Sequence, residues 1–554
     1  MPRHSAKATS AAPAPVHPPA PAWTRPLLLA LTGLLLLTWF TGEIADTDIW
    51  LHLMTGRQTL EHRALTVPDP FSYTSSLSSA SPAEAQTRYF NLTHEWLAQI
   101  AMYLIHSATG FPGLVLSRTL LLIGFCALVG LMVWWRSRGF LRAIGATVAA
   151  GAVAINFQQS RPFLVTFVFL AITMAILERR RWMWVLPPMF LLWGNLHGGY
   201  FMGWLMLGAY CGEAVIQRLR KRPMESERQL WIVTAASLVA SAINPNGLRA
   251  VGIVFNYRDS AIQSSNLEWQ YPAFWEPSAY SFVLFGALIV LLIARRRTRP
   301  VDWLLYLGFA FISLTAVRNT LFIGLAGSVL LFAYLPASKR LVPAWAAYLL
   351  AIVLLVAAAF QMRTGQSFQF HEAAWQLPTR AADFLAEHKV TGRIFNTYEN
   401  GGYLVWRLWP MQKDFIDPRG LSEEAFSDYQ IMLANGESSD GRTAAKLLDK
   451  YGIQVLVLDG FDRFSGQVRL LTASLSDPSQ TAWKLVQADE RSVVFMRNPP
   501  PGVPVLNNLM ALTSIEMQCR QQVEHDPGHP GCARGLSDIY SRIGDRAKAA
   551  EWAR

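Results

Sequence analysis

Over its first two thirds the chain alternates long apolar runs with short polar breaks, and then the pattern changes period. An apolar run from Arg25 to Phe40 is followed by others beginning near Leu114, Leu141, Phe163, Trp184, Phe201, Leu230, Ala279, Val301, Leu321 and Pro343. A helix needs about 20 such residues to cross a hydrocarbon core of about 30 Å. The pattern therefore predicts a polytopic α-helical membrane protein with about eleven transmembrane helices. The first run leads into Gly42-Glu43-Ile44-Ala45-Asp46 rather than a small-residue cleavage site, so it reads as a retained anchor and not as a signal peptide. Between the first and second runs, Thr93-His94-Glu95-Trp96-Leu97 opens an amphipathic stretch to about His106, too short to span and suited to lying in the interface.

After about Arg363 helix-like pieces (380–388, 422–434, 443–451) alternate with short β-rich runs (393–398, 455–459, 493–497), which argues a compact α/β domain. The last residues, from Cys532 through Gly544 to Ala550, space small and apolar positions as in one tetratricopeptide-type helical pair. The organisation expected is thus a disordered Ala/Pro/Ser-rich tail at 1–22, a transmembrane domain at 23–362 with a long first loop at 43–112, an α/β domain at 363–500, and a helical tail at 501–554.

Composition agrees: 52% of the 554 residues are hydrophobic and 16% charged, against about 25% charged in soluble domains. The net charge of +11 would alone invite a nucleic-acid partner. Its distribution removes that reading, because residues 1–360 hold 28 basic and 15 acidic side chains and the remainder 21 and 23. Twenty of the 28 bases, among them Arg136, Arg179 to Arg181, Arg218 to Arg222 and Arg295 to Arg299, fall on one side if the spans alternate. By the positive-inside rule that side is the cytoplasm, which places the N-terminus inside and everything after Arg363 outside. Four cysteines exclude a disulfide framework; whether Cys519 and Cys532 pair in an oxidising compartment is left open by the sequence, and one pair decides little.

The loops of the opposite side carry Asp46, Asp48, His52, His94, Glu95, Arg161, Asn195, His197, Asn244, Arg258, Glu268, Trp269 and Arg318. Polar groups at membrane depth are costly and tend to line cavities or pair with one another, so chemistry is expected on this face. The densest group is Asp46-Thr-Asp48-Ile-Trp50-Leu-His52, where Asp48 and His52 stand four apart and share a helix face. A carboxylate there can take a proton from an incoming hydroxyl; an N-cap role for Asp46 or Asp48 is the plainer reading. Asp48, His52, His94 and Glu95 offer mixed oxygen and nitrogen donors for a divalent metal, without a spacing that enforces one. Gly401-Gly402 reads as a turn, and Asp414 to Arg419 as a strand end.

The first-loop motif, with Asp69-Pro-Phe-Ser72, His94-Glu-Trp-Leu97, Trp193-Gly-Asn195-Leu-His197-Gly-Gly199 and Asn396-Thr-Tyr-Glu-Asn-Gly-Gly402-Tyr-Leu404, resembles a bacterial branch of the GT-C superfamily of integral-membrane glycosyltransferases over about residues 24–500. The resemblance implies inverting transfer of a sugar from a polyprenyl-phosphate carrier to a glycan, lipid or protein acceptor on the periplasmic face of the bacterial inner membrane. The base would be Asp46 or Asp48; the family more often has Asp-Glu or Glu-x-Asp here, so the choice between the two stays open. Arg161, Arg258 and Arg318 are candidates for the lipid phosphate, which a guanidinium holds through two oxygens at once. Trp50, His52, His94, Glu95, Asn195, His197 and Trp269 complete the expected substrate contacts. Two other readings compete. One is a non-catalytic scaffold in envelope polysaccharide assembly, holding protein partners through the helical tail. The other is a transporter, which should show mid-span charges and internal repeats.

Overall fold

The computed structural model describes residues 20–77, 81–222, 224–257, 260–335, 344–462, 465–477, 479–525 and 531–553. The tail expected at 1–22 falls almost wholly outside them, and so does Arg258.

The first part is helical: α1 (Thr24–Phe40), α2 (Ile49–His62), α3 (Pro82–Thr93), α4 (Trp96–Ser137), α5 (Phe140–Ala154), α6 (Phe163–Arg179), α7 (Leu186–Leu196), α8 (Phe201–Leu219), α9 (Glu227–Ser241), α10 (Ala250–Asn256), α11 (Ala261–Ser265), α12 (Ala279–Ile293), α13 (Pro300–Ser313), α14 (Thr320–Tyr334) and α15 (Ala344–Arg363). Every apolar run of the sequence lies on one of these helices, but the expected count of about eleven full spans is not met. Four stretches of the described residues are long and apolar enough to cross a membrane, within Pro82–Ser137, Phe140–Phe157, Val317–Tyr334 and Ala344–Arg363. Thr24–Phe40, Met183–Leu196, Ala279–Ile293 and Pro300–Ser313 are apolar but shorter. The shortfall has local causes. A 17-residue helix such as α6 rises only about 26 Å, extended backbone at His197 separates α7 from α8, and Glu213, Arg218, Glu227 and Arg228 put charge into α8 and α9.

In α4, Gly110 takes φ +67°, a conformation that favours glycine, and Pro112 follows. The break divides α4 into an amphipathic piece at 96–109 and an apolar helix at 111–137. Helix α14 is the centre of the bundle: every residue from Thr320 to Leu331 is buried, against α5, α12 and α13. Helix α15 packs on α1 and leaves most of its surface outward.

At the end of the bundle that the sequence marks as basic, the arginines are not all bare. Arg136 pairs with Glu178 at 2.6 Å and Asp302 at 2.9 Å, Arg299 reaches Glu178 at 2.6 Å and Asp302 at 3.2 Å, and the Tyr210 and Tyr334 hydroxyls donate to the same two acids. Asp302 is fully buried. The network ties α4, α6, α8, α13 and α14 together. Removing one member of a buried pair leaves an uncompensated charge, at a cost of about 3–5 kcal/mol. Glu178→Gln is expected to lower the thermal melting point in detergent markedly; an unchanged melt would show that the network contributes nothing to stability.

The second part comprises α16 (Thr379–Glu387), α17 (Gly401–Leu408), α18 (Glu423–Leu433), α19 (Ala444–Lys450) and α20 (Leu470–Leu475) around strands β1 (Arg393–Asn396), β2 (Ile453–Leu458), β3 (Lys484–Ala488) and β4 (Val493–Met496). The sheet order is β1-β2-β4-β3. Strand β1 runs parallel to β2, while β4 is antiparallel to both β2 and β3. The β-branched interior of β2 and β4 is buried on both faces. Helices α21 (Met510–His525), α22 (Gly531–Arg542) and α23 (Arg546–Trp552) follow, with Cys519 and Cys532 joined as a disulfide between α21 and α22.

Gly401-Gly402 is not the turn that the sequence suggests but the start of α17. A side chain on Gly401 would come within 2.3 Å of the Ile416 carbonyl oxygen, and one on Gly402 within 2.9 Å of Leu51, so Gly401 lets α17 start against the 414–417 segment and Gly402 lets it lie against α2. Arg419 pairs with Asp69 at 2.7 Å, and short bridges join Ile44 to Glu372 and Ser72 to Asp414. The α/β unit is thereby docked on the first loop.

Candidate functional site

A cavity of about 1400 Å³ opens where the first loop, the loops before α6, α8, α12 and α14, and the α/β unit converge. Its floor toward the bundle is apolar, with Phe163 and Phe167 from α6, Met202 from α8, Ile312 from α13 and Phe322 from α14. Its walls carry nearly all the charge.

Asp46 and Asp48 stand in the link between α1 and α2. Asp48 occupies the N-cap position of α2, yet its side chain makes no capping bond; it turns to Arg161 instead. The Arg161 guanidinium donates from Nε and Nη2 to both Asp46 oxygens at 2.7 Å, lies 3.0 Å from Asp48 Oδ2, and donates from Nη1 to Glu268 Oε1 at 3.3 Å. One arginine thus serves three carboxylates. Asp46, with both oxygens occupied and 5% of its side chain exposed, is opposed by burial, but the Arg161 charge and hydrogen bonds outweigh that and hold its carboxyl below the usual range. Asp48 has one oxygen committed and 20% of its side chain exposed. Burial, only partly offset by Arg161 and reinforced by the charges of Asp46, Glu268 and Glu95, pushes it up to about 8. The two acids are therefore held differently: Asp46 by a two-point contact that favours its anion, Asp48 through one oxygen in surroundings that disfavour its anion.

Four positions along α2, His52 Nδ1 lies 3.7 Å from Glu95 Oε2 and accepts from Gln99 Nε2 at 3.3 Å. Glu95 Oε1 also faces His94 Nε2 at 3.3 Å and His197 Nε2 at 3.6 Å. The ligand atoms of His94, Glu95 and His197 all lie within 4.8 Å of one another, a group able to hold a divalent metal. Among the candidates read from sequence, His94 and Glu95 join this group and His197 completes it. Asp48 does not belong to it, being turned to Arg161, and His52 stands behind the carboxylate.

Across the cavity Arg318, just before α14, stacks over the Trp269 ring at 4.7 Å. Tyr257 supports Trp269 edge-on at 5.3 Å and donates its hydroxyl to Asn91. No carboxylate among the described residues pairs with Arg318.

Two expected contacts lie elsewhere. Trp50 is 5% exposed and packs against Phe111 and Tyr403, so it holds the α2–α17 interface. Asn195 is spent on structure, accepting from Trp96 Nε1 at 3.1 Å and donating to the Leu191 and Ile243 carbonyls. Arg258 lies outside the described residues.

The structure also places residues that the sequence does not single out. Arg118 of α4 is buried and has no carboxylate partner among the described residues. It donates instead to the carbonyls of Phe40 at 3.1 Å and Gln158 at 2.6 Å, and to that of Gly42. These carbonyls precede Asp46 and Arg161 by a few residues, so Arg118 holds together the two loops whose side chains form the central pair. From the α/β unit, Glu399 pairs with Arg469 at 3.1 Å on the far wall, and burial raises its carboxyl against the pull of that arginine. An isolated arginine inside an apolar run, as in Leu114-Val-Leu-Ser-Arg118, is the one signal that could have flagged Arg118.

No protein-family model matches the chain, and no curated protein matches it. Among solved structures it is similar to the crystal structure of the Archaeoglobus fulgidus oligosaccharyltransferase tethered with an acceptor peptide, with 11% identity, 87% of this chain and 75% of that chain covered, and a TM-score of 0.49.

Proposed function

We propose that the protein is a GT-C-type glycosyltransferase that moves a sugar from a polyprenyl-phosphate carrier to an acceptor hydroxyl on the outer face of a membrane, with inversion and with Asp48 as base. The observation that carries this reading is the pairing, in one cavity with an apolar floor, of an Asp48 carboxylate with one oxygen uncommitted and an Arg318 that meets no carboxylate among the described residues. A polyprenyl-phosphate donor keeps its tail in lipid and its phosphate at the interface. The phenylalanines of α6 and α14 suit the first isoprene units, and the stacked guanidinium suits the phosphate. Arg161 is a poor phosphate ligand, because three carboxylates already hold it. Asp46 is a poor base for the complementary reason, since both its oxygens are bound.

In the proposed reaction the acceptor hydroxyl attacks the anomeric carbon from the side opposite the phosphate, Asp48 takes its proton, and the carrier leaves as polyprenyl phosphate bound to Arg318. Asp46 and Glu268 fix Arg161, which keeps Asp48 in place. Asp48 must be ionised to act, so the rate should rise with pH through about 8. Glu268→Gln removes a charge that opposes ionisation and should move this limb to lower pH. A limb unmoved in the variant, or centred in the usual carboxylate range, would exclude Asp48 as the titrating base.

Sidedness rests on two supports. The basic loops gather at the end opposite the cavity, and the Cys519–Cys532 disulfide suits an oxidising compartment. Against the scaffold reading, both carboxylates pair with arginine at a cavity rather than capping helices. The test is direct: the purified protein in lipid nanodiscs is incubated with a panel of polyprenyl-phosphate sugars, and release of polyprenyl phosphate is followed by mass spectrometry. Turnover of at least one donor is expected, and none with any donor and native membrane extract would sink the reading.

A further inference from the structure

We propose that His94, Glu95 and His197 hold a zinc-class divalent transition-metal ion on the cavity wall, separate from the Asp46–Arg161–Asp48 group. The inference stands on geometry alone and does not need the sugar-transfer reading. In a tetrahedral zinc site with bonds of about 2.0–2.1 Å, neighbouring ligand atoms lie about 3.4 Å apart. Glu95 Oε1 is 3.3 Å from His94 Nε2 and 3.6 Å from His197 Nε2, so two edges of such a tetrahedron are already in place.

The His94 ring is also oriented as a ligand is, and the His197 ring has an acceptor within reach of Nδ1. A metal-bound histidine normally donates its other N–H to a fixed acceptor. His94 Nδ1 lies 2.8 Å from the Phe90 carbonyl, which can only accept. Nδ1 therefore carries a hydrogen, and Nε2 is the ring atom that faces Glu95. The ring is stacked on Phe90 at 4.2 Å, which fixes its plane. His197 Nδ1 lies 2.8 Å from Thr166 Oγ1, a hydroxyl itself held by the Trp193 indole at 2.9 Å. The three ligands come from the end of α3, the start of α4 and the link after α7, so the packing of the bundle, not one flexible loop, presets them.

Two imidazoles and one carboxylate favour zinc and its transition-metal neighbours over magnesium and calcium, which prefer all-oxygen shells. Three protein ligands leave one position open, and all three residues line the cavity. The acid pair is not a competing site, since a cation there would have to displace a guanidinium held by three carboxylates. His52, against the other Glu95 oxygen, leaves one oxygen for the ion.

One contact defines the opposing case. The Gly199 amide also lies 3.0 Å from His197 Nδ1. That N–H can only donate, so Nδ1 accepts and Nε2 carries the hydrogen that faces Glu95; a bound ion has to displace this hydrogen and move the ring N–H to Nδ1, toward Thr166, and a cluster that keeps it is a metal-free hydrogen-bond network. The experiment uses tag-free full-length protein in nanodiscs, stripped with EDTA and titrated separately with Zn²⁺, Co²⁺ and Mg²⁺. Binding is read by calorimetry, metal content by mass spectrometry after desalting, and Co²⁺ geometry by visible absorption. One Zn²⁺ per chain, an intense tetrahedral Co²⁺ band and no comparable Mg²⁺ uptake are expected. His94→Ala and His197→Ala should each weaken Zn²⁺ binding by more than the about 10- to 100-fold that loss of an outer-shell partner costs, while His106→Ala leaves it unchanged. No stoichiometric Zn²⁺ or Co²⁺ in the wild type, equal uptake in the His94 and His197 variants, or a preference for Mg²⁺ would overturn the proposal. Because the wild type decides the first of these, a variant that fails to fold does not rescue it. Metal uptake without any sugar transfer, or transfer by stripped protein, would separate this inference from the functional reading.

Discussion

Asp48→Asn is expected to reduce sugar transfer by about 10²–10⁴-fold, the contribution of a positioned general base, while donor binding and thermal stability change little. Asparagine keeps the shape of the side chain and one acceptor oxygen for Arg161, so the loss falls on kcat. Asp46→Asn should behave differently. It breaks a bidentate pair with Arg161, leaves a half-buried guanidinium with less compensation, and lets the Arg161 fork turn toward Asp48. Transfer should fall and the melting point should fall with it, because the pair joins the α1–α2 link to the loop before α6. The contrast between the variants is the informative quantity: an activity loss without a stability loss marks the base, and both losses together mark the brace. Wild-type turnover in Asp48→Asn would remove Asp48 from the chemistry whatever Asp46 does.

Arg318→Gln carries the second large effect. A charge-assisted hydrogen bond to a phosphate contributes about 1.5–3 kcal/mol, so KM for the polyprenyl-phosphate donor should rise by about 10- to 100-fold, with kcat less affected. Trp269→Ala, which removes the ring beneath the guanidinium, should reproduce part of this loss, a cation–π contact being about 0.5–2 kcal/mol. Arg161→Gln should instead lower kcat, since it strands Asp46, Asp48 and Glu268 together without a cation. If Arg161→Gln raised KM while Arg318→Gln left it untouched, the assignment of the two arginines would be reversed.

Parts of this architecture are legible in the sequence and parts are not, for physical reasons. The helices of the bundle announce themselves through long apolar runs, and β1, β2 and β4 through short β-branched ones. Strand β3, Lys484-Leu-Val-Gln-Ala488, has no such run and exists because it pairs with β4. The number of complete spans is overread, because apolar runs are counted across the extended residue at His197, which no hydropathy pattern marks, and without weighing the charges that α8 and α9 carry. Gly401-Gly402 is ambiguous locally; only the approach of α2 and the Ile416 carbonyl decides for a helix start over a turn. Asp46, Asp48 and Arg161 stand out by residue type and side of the membrane, but their division of labour depends on which oxygens Arg161 occupies, a contact across 115 residues. His197 joins His94 and Glu95 across about a hundred residues in the same way, and Arg118 acts on carbonyls that no side-chain pattern reveals.

The most direct measurement is the inventory of lipid-linked sugars, by mass spectrometry, in cells that lack this protein and carry either the wild-type chain or Asp48→Asn at equal membrane abundance. One polyprenyl-phosphate sugar should accumulate in the empty cells and in those with Asp48→Asn, and return to its basal level with the wild type. An inventory identical in all three, or one that Asp48→Asn restores as fully as the wild type, would contradict the account.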